Sequence, residues 1–374
     1  VKQHRNKILI LHSQYRISGG EERMVDLEVG TLKAMGYQVS THIVQSSDHA
    51  TLTEQLRISK AMVADNPHWP SIAKYLTDFD PSAIHIHNLL PNLGYDILSR
   101  CLDWALKKGR LVVLTIHNQR WVCANGLFFR NEKSCTKCFD DQNPLWGAVH
   151  NCRSRWAESV AYAGAIQWAW MKNFYNHPAL KLIALNDLTA SRLKQVFPCS
   201  QVAVLPNPVE VPAKTTPYVL PPWPGKRLAV IGRLSVEKGI KALVSALRYG
   251  NHPTQHSTQN PTLNPTNNPT IQFVIAGDGP LKDFVEQEAA INERVLYLGR
   301  LPEATVPALL DAVDGLYWSS LVEEQSPTVL RLAQAKAVPT WGPQGLLTRG
   351  DLSVWGPILT PQEWAQKLTA VFGA

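Results

Sequence analysis

The chain has 374 residues, of which 45% are hydrophobic and 18% charged, and its 37 Lys and Arg against 30 Asp and Glu give a net charge of +7. This composition supports two globular domains or one large one and excludes a disordered chain. No apolar run reaches the roughly 18 residues of a membrane-spanning helix. The mild, scattered basic excess suits anionic substrates or an anionic membrane surface, and the lack of an aromatic–basic stripe argues against nucleic acid.

The N-terminus, Val1 to Lys7, is basic, but only Ile8-Leu9-Ile10-Leu11 follows it as an apolar run. That is too short for a signal-peptide core and reads as a first strand, so a cytoplasmic location is expected. Further strands are expected at Gln38 to Val44, Ala83 to His87, Leu111 to Ile116 and Leu182 to Leu185. Helical patterns lie between them, for example Glu21 to Met35 and Ser71 to Phe79. The alternation predicts a parallel sheet with helices on both faces. From Leu205 to Gly225, seven prolines exclude a regular helix or a central strand. The rhythm then restarts, with strands near Arg227 to Ile231, Ile271 to Ala276, Val295 to Leu298, Gly315 to Trp318 and Val338 to Trp341. The expected organisation is a first α/β domain at 1–208, a linker at 209–225 and a second α/β domain at 226–374. Two such domains in tandem are expected to face each other across a cleft, with ligands at the strand C-termini. Within the second, 251–270 is rich in Asn, Pro, Thr and Gln and is expected to be a disordered insertion.

Three strand-end motifs carry the chemistry. Gly232-Arg233-Leu234-Ser235-Val236-Glu237-Lys238-Gly239 follows an apolar strand and precedes a helix. Two cations beside a helix N-terminus suit an anion with several oxygens, most simply a diphosphate; the plain alternative is a turn with two solvated cations. Ala276-Gly277-Asp278-Gly279-Pro280 is a second glycine turn at a strand end, where a tight turn and a ligand contact are about equally good readings. Glu323-Glu324-Gln325-Ser326-Pro327 precedes a helix expected from about Pro327 to Ala337. Its carboxylates suit the helix dipole without any ligand, and they also suit sugar hydroxyls. Ser18-Gly19-Gly20-Glu21-Glu22, after the first strand, permits close backbone approach but is not a dinucleotide fingerprint.

Taken in order, these pieces resemble the retaining GT-B glycosyltransferases, specifically the family-four group of bacterial polysaccharide and lipopolysaccharide transferases. The matching residues are Gly19-Gly20, the run Ile84-His85-Ile86-His87-Asn88, Thr115-Ile116-His117-Asn118 and Val204-Leu205-Pro206-Asn207-Pro208-Val209 in the first half. In the second half they are Gly232-Arg233, Glu237-Lys238-Gly239, Gly277-Asp278-Gly279-Pro280, Leu298-Gly299, Glu324-x-x-Pro327, Ala333-x-Ala335 and Pro339. The resemblance implies two Rossmann-like domains and a retaining hexosyltransferase. Its donor is a nucleotide-diphosphate sugar, and its acceptor a glycan or lipid-linked molecule of envelope polysaccharide synthesis. It implies that Arg233 and Lys238 hold the diphosphate and that His117 faces the reacting sugar. Glu324, as first Glu of the E-x7-E motif, would contact sugar hydroxyls. Gly19, Gly20, Gly277, Asp278, Gly279, Ser326 and Pro327 would complete the donor site, with no cofactor required for catalysis. His85 and His87 share one strand face, and at least one of them is expected to be structural.

The sequence departs from that pattern at the second Glu of E-x7-E, which is Leu332, and at Arg331, Gln334 and Lys336 in the same helix. With the end at Ala374, the helices that cross back to the first domain are expected to be missing or shortened. These departures motivate an alternative, a catalytically degenerate scaffold or binding protein. A sugar-nucleotide epimerase of the same architecture is disfavoured by the Glu324-x-x-Pro327 segment. Four of the six cysteines, Cys123, Cys135, Cys138 and Cys152, form the pattern C-x11-C-x2-C-x13-C in one loop-rich stretch. A structural zinc, free thiols and disulfides are all open readings of it. The surrounding run Cys123 to Arg130 resembles a subgroup of the same transferases that carries these cysteines. Finally, Arg153 to Phe174 reads as one long helix with Trp156, Trp168 and Trp170. Those rings suit either core packing or a peripheral membrane contact.

Overall fold

The computed structural model describes residues 6–14, 20–45, 52–249, 271–342, 345–346 and 355–373. Gly19 and the low-complexity stretch 251–270 lie outside the described residues. The chain divides into two compact units.

In the first unit, strands β1 (Lys7–Gln14), β2 (Gln38–Gln45), β3 (Ala83–His87), β4 (Leu111–Ile116), β5 (Leu180–Ala184) and β6 (Gln201–Val204) form a parallel sheet of order β2-β1-β3-β4-β5-β6. Alternation along each strand sends odd and even positions to opposite faces. Leu9, Leu11, Ile84, Ile86, Val112 and Leu114 join a core with helix α2 (Gly94–Lys108) and helix α3 (Trp156–Met171). On the other face Ile8, Ile10, Ala83 and Val113 pack against Met24, Val25 and Leu32 of helix α1 (Gly20–Ala34).

The boundaries differ from the sequence expectation at the C-terminal side. Residues 209–225 form no helix or strand and group with the second unit. Trp355–Ala374, expected in the second domain, belongs to the first unit. There a helix, α7 (Pro361–Val371; the intervening helices follow below), buries Trp364, Ala365 and Leu368 against the α1 face of the sheet. Burying a large apolar side chain of this kind contributes about 1.5–3 kcal/mol. A capping box between Thr360 and Glu363 starts the helix, and Lys181 Nζ donates to Val371 O at 2.8 Å near its end. Where the helices that cross back were expected to be missing or shortened, one helix of 11 residues is present and completes the first unit. The expected long helix at 153–174 is shorter, because extended Arg155 precedes it and left-handed Asn173 follows it.

In the second unit, β7 (Arg227–Ile231), β8 (Gln272–Ala276), β9 (Val295–Tyr297), β10 (Gly315–Tyr317) and β11 (Thr340–Gly342) are parallel, in the order β9-β8-β7-β10-β11. A short antiparallel strand, β12 (Gly345–Leu346), ends the sheet. Helices α4 (Ile240–Tyr249), α5 (Lys282–Ile291) and α6 (Thr328–Ala335) follow β7, β8 and β10. Leu228, Val230, Phe273 and Ile275 meet Leu243, Val244, Leu247 and Val285 in its core.

Candidate functional site

At the strand ends of the second unit, three loops are tied together by main-chain hydrogen bonds. Gly232 N donates to Ala276 O at 3.0 Å, Leu234 N to Asp278 O at 2.9 Å, and Leu321 N to Glu237 O at 2.9 Å. Ser319 Oγ donates to Lys238 O at 2.7 Å. The glycines are required by close approach: a Cβ at Gly277 would lie 1.8 Å from Gly232 O, and one at Gly279 2.6 Å from Leu234 O. This framework presents exposed Arg233 and brings Lys238 Nζ to 2.5 Å from Glu324 Oε1. Lys238 also lies 5.9 Å from the Trp318 ring centre. Ser326 and Pro327 lead into α6, with Pro327 as its extended N-cap residue. Arg233, Lys238, Gly277, Asp278, Gly279, Glu324, Ser326 and Pro327 thus all lie on one edge of one sheet. Leu332 is buried on α6, and the neighbouring Arg331 guanidinium is buried too, which brings its pKa down to about 10.

The first unit holds a second cluster of polar groups, of which sequence reasoning missed His12 and Glu28. Register places His12 opposite His87 and His87 opposite Thr115, across three adjacent strands. These residues and His85 occupy the face covered by α1, where apolar residues stand lower in the strands. The spacing of Met24, Val25, Glu28 and Leu32 puts Glu28 on the inward stripe of α1. Its Oε1 lies 2.6 Å from His85 Nδ1 and its Oε2 2.9 Å from His87 Nε2. His85 Nε2 lies 2.7 Å from Thr115 Oγ1, and His87 Nδ1 2.8 Å from His117 Nε2. Burial opposes ionisation of Glu28, but its two histidines override it and hold the carboxyl down to about 2. Burial, and then His85, pushes His87 down to about 4, and burial holds His117 well below its ordinary value.

The proton positions follow. An ionised carboxylate only accepts, so the His87 proton stands at Nε2, 2.9 Å from Glu28 Oε2. The neutral His87 ring then accepts at Nδ1 from His117 Nε2–H. His117 is left with its Nδ1 lone pair free to face a ligand. The ligand atoms of Glu28, His85 and His87 lie within 4.8 Å of one another, a spacing that would also suit a metal. The His85–Glu28 hydrogen bond forms without one, whereas Glu28 Oε2 and His87 Nε2, 2.9 Å apart, make no hydrogen bond of good geometry. His117 lines a pocket with Asn88, Asn118, Arg120, Tyr95 and Tyr175. Asn88 adopts a left-handed conformation (φ 51°) and its Nδ2 donates to Ser13 O at 2.8 Å, tying β3 to β1. Gly20 opens α1, and beside it burial pushes the Glu21 carboxyl up to about 8 against the pull of Arg120. Glu21 is therefore largely protonated at neutral pH, a poise that no local sequence signal gives.

This network makes the first unit acid-labile. Glu28 is depressed, so its stabilisation is complete above its ordinary value of 4.5 and lost as pH falls towards 2. His87 is also depressed: between 6.5 and 4 the unfolded chain takes up a proton that the folded one refuses. Both contributions fall with acid. The melting temperature is expected to drop from pH 6.5 down to pH 4, where His87 acts, and to fall further below pH 4.5, where Glu28→Gln flattens the slope. A slope below pH 4.5 unchanged by Glu28→Gln would show that other groups control it there.

No protein-family model and no curated sequence matches the chain. Solved structures match it in fold. HepE of Anabaena, solved in complex with UDP and glucose, superposes with a TM-score of 0.51 at 16% identity, over 97% of this chain and 89% of its own. Sucrose-phosphate synthase from Thermosynechococcus elongatus gives 0.58 at 13% identity, over 98% and 94%. WaaG, a glycosyltransferase involved in lipopolysaccharide biosynthesis, gives 0.55 at 13% identity, over 98% and 90%. The fold is GT-B. At such identities the likeness concerns the fold alone.

Two further expectations fall on the first GT-B unit. Trp168 and Trp170 pack against its core, Trp170 donating to Trp121 O at 2.8 Å, whereas Trp156 is exposed. Among the described residues no helix is long and apolar enough to cross a membrane. The four cysteines are unbridged thiols. Burial first, then Cys123, Cys152 and Cys135, pushes the Cys138 thiol up to about 12, and burial with Cys123 and Cys135 pushes Cys152 to about 11.

Proposed function

We propose that this chain is a retaining glycosyltransferase of the family-four type. It moves a hexose from a nucleotide-diphosphate sugar to a glycan or lipid-linked acceptor in envelope polysaccharide synthesis. The observation that carries the reading is the strand-end edge of the second unit, where exposed Arg233 and the Lys238–Glu324 pair stand on glycine turns. Arg233 and Lys238 meet the donor's diphosphate and offset the charge that grows on it as the glycosidic bond breaks. Glu324 both positions Lys238 and accepts from sugar hydroxyls. The acceptor oxygen attacks from the side the diphosphate leaves. The departing phosphate oxygen takes the acceptor's proton, so retention needs no separate base. His117, with its tautomer fixed by His87, offers Nδ1 as an acceptor to a hydroxyl. HepE was also solved with UDP-glucose, and a pneumococcal O-GlcNAc transferase with UDP and GlcNAc, so uridine donors are the first to try. A lipid-linked acceptor is supported by α3, which leaves Trp156, Val160 and Met171 exposed near Arg155 and Lys172.

One observation favours a second reading, a donor-binding protein without turnover. Leu332 is buried in the position where the resemblance places a ribose-binding carboxylate. A thermal-shift titration with uridine, guanosine and adenosine diphosphates and their sugars separates the cases. A ligand that binds only the folded chain raises its melting temperature by mass action. A shift with one nucleotide, followed by product whose anomeric proton keeps the donor's configuration by NMR, is expected. A shift without product from any acceptor supports the second reading, and no shift from folded protein defeats both.

A further inference from the structure

Glu28, His85 and His87 have side chains no more than 2% exposed, between α1 and the sheet of the first unit. Polar atoms so far from water are normally paired in full, because an orphan is costly. Here the pairing is incomplete. His85 Nδ1 and Glu28 Oε1 meet at 2.6 Å. Glu28 Oε2 and His87 Nε2 stand 2.9 Å apart, yet each is without a hydrogen bond of good geometry. His12 Nε2, on the neighbouring strand β1, is a further buried orphan. One ligand atom from each of Glu28, His85 and His87 lies within 4.8 Å of those from the other two. Among the described residues no other three His, Cys, Asp or Glu side chains come together in this way.

The rings come from alternate positions of β3, so they share one face, with centres 4.1 Å apart. Their far sides are already held. His85 Nε2 lies 2.7 Å from Thr115 Oγ1, and His87 Nδ1 2.8 Å from His117 Nε2. A metal-binding histidine almost always has such a partner on its second nitrogen, which fixes the ring and its tautomer. The one hydrogen bond inside the group, His85 to Glu28, joins two of its own members. An ion in its place therefore strands no outside partner. A second carboxylate is also at hand to offset charge: buried Glu22 lies 3.9 Å from His12 Nε2, and the His12 ring stands edge-on to His87 at 6.3 Å.

We propose that Glu28, His85 and His87 bind one zinc ion through a carboxylate oxygen, Nδ1 and Nε2. Two imidazoles and a carboxylate suit zinc, whereas calcium and magnesium prefer oxygen ligands throughout. The ion needs slightly wider ligand spacing than a proton does, and the flexible Glu28 side chain supplies it. Both rings stay neutral when it binds. The His85 proton moves from Nδ1 to Nε2, and the Thr115 hydroxyl turns from donor to acceptor. The His87 proton moves from Nε2 to Nδ1, where His117 Nε2 accepts it. The His117 proton then stands at Nδ1, so no proton is released overall. The His117 nitrogen that was an acceptor becomes a donor, and zinc is expected to slow sugar transfer. That last consequence rests on the sugar-transfer reading; metal binding does not.

The test is metal analysis of the purified full chain, made in zinc-containing medium and cleared of loose metal by gel filtration. Glu28→Gln is measured beside it, with Cys138→Ser as the control for uptake by thiols. Zinc is expected in the parent and in Cys138→Ser alike, with at least half of it lost in Glu28→Gln. Should Glu28→Gln fail to fold, the parent loaded with cobalt decides: visible cobalt bands are expected without the near-ultraviolet charge-transfer band of a cobalt–thiolate bond. Folded parent that holds neither ion would overturn the proposal. Full retention in folded Glu28→Gln, loss in folded Cys138→Ser, or a thiolate charge-transfer band would do so too. These readouts are of metal alone, so a failure to transfer sugar leaves the proposal standing, and a metal-free chain leaves the sugar-transfer reading standing.

Discussion

Replacing Lys238 with alanine will lower sugar transfer about 10²- to 10³-fold, the range seen when one preorganised group that stabilises transition-state charge is removed. The second unit will keep its fold, because the Lys238 side chain is partly exposed and its loop is held by main-chain bonds. Those bonds are Ser319 Oγ to Lys238 O at 2.7 Å and Leu321 N to Glu237 O at 2.9 Å. Arg233→Ala is expected to act in the same direction. Lys238→Arg will not restore full activity, since a planar fork cannot replace a compact ammonium 2.5 Å from Glu324. Removal of Lys238 also leaves the Glu324 carboxylate without this partner, so Lys238→Ala/Glu324→Gln separates lost binding from new repulsion. Steady-state kinetics with a fixed acceptor measures the effect. A kcat/KM within about threefold of the parent, well under 1 kcal/mol of barrier, would move the diphosphate away from this edge.

Gly239→Ala is the second large effect, and it acts on stability. Gly239 is left-handed (φ +73°), and a Cβ there would lie 1.9 Å from Ser319 O, a main-chain atom that cannot rotate away. The loop must break its bond pattern or shift as a body, at a cost of roughly 3 kcal/mol or more. Gly299→Ala is the matched control: its φ is +70°, but nothing lies within 4 Å of the added carbon. Its cost is limited to the strained conformation, about 1 kcal/mol. Urea unfolding of the two variants gives the difference directly. Equal midpoints would mean that the Ser319 contact is relaxed in solution.

Where a strand is rich in apolar residues, its limits were legible: Ala83–His87, Leu111–Ile116 and Arg227–Ile231 match the expected bounds. The strand Gln201–Val204 was missed because it is an edge strand with partly exposed residues. The strand-end glycines and charges of the second unit were legible because each is local, a turn read within a few residues. Glu28 was not. On its helix it looks like any surface carboxylate, and the partners that make it a buried anion lie 57 and 59 positions away. The same holds for α7, which the sequence reading did not place, since its residues do not say which sheet they cover.

The placement of α7 has a consequence for how the molecule comes into being. A ribosome delivers the six strands of the first unit before the second unit, but the helix that covers Ile8 and Ile10 only after it. Throughout synthesis of the second unit, the first is a sheet with one face only partly covered. During that interval chaperones or the nascent chain itself must shield the apolar strip that Trp364 and Leu368 later occupy. The first unit is begun before the second and completed after it.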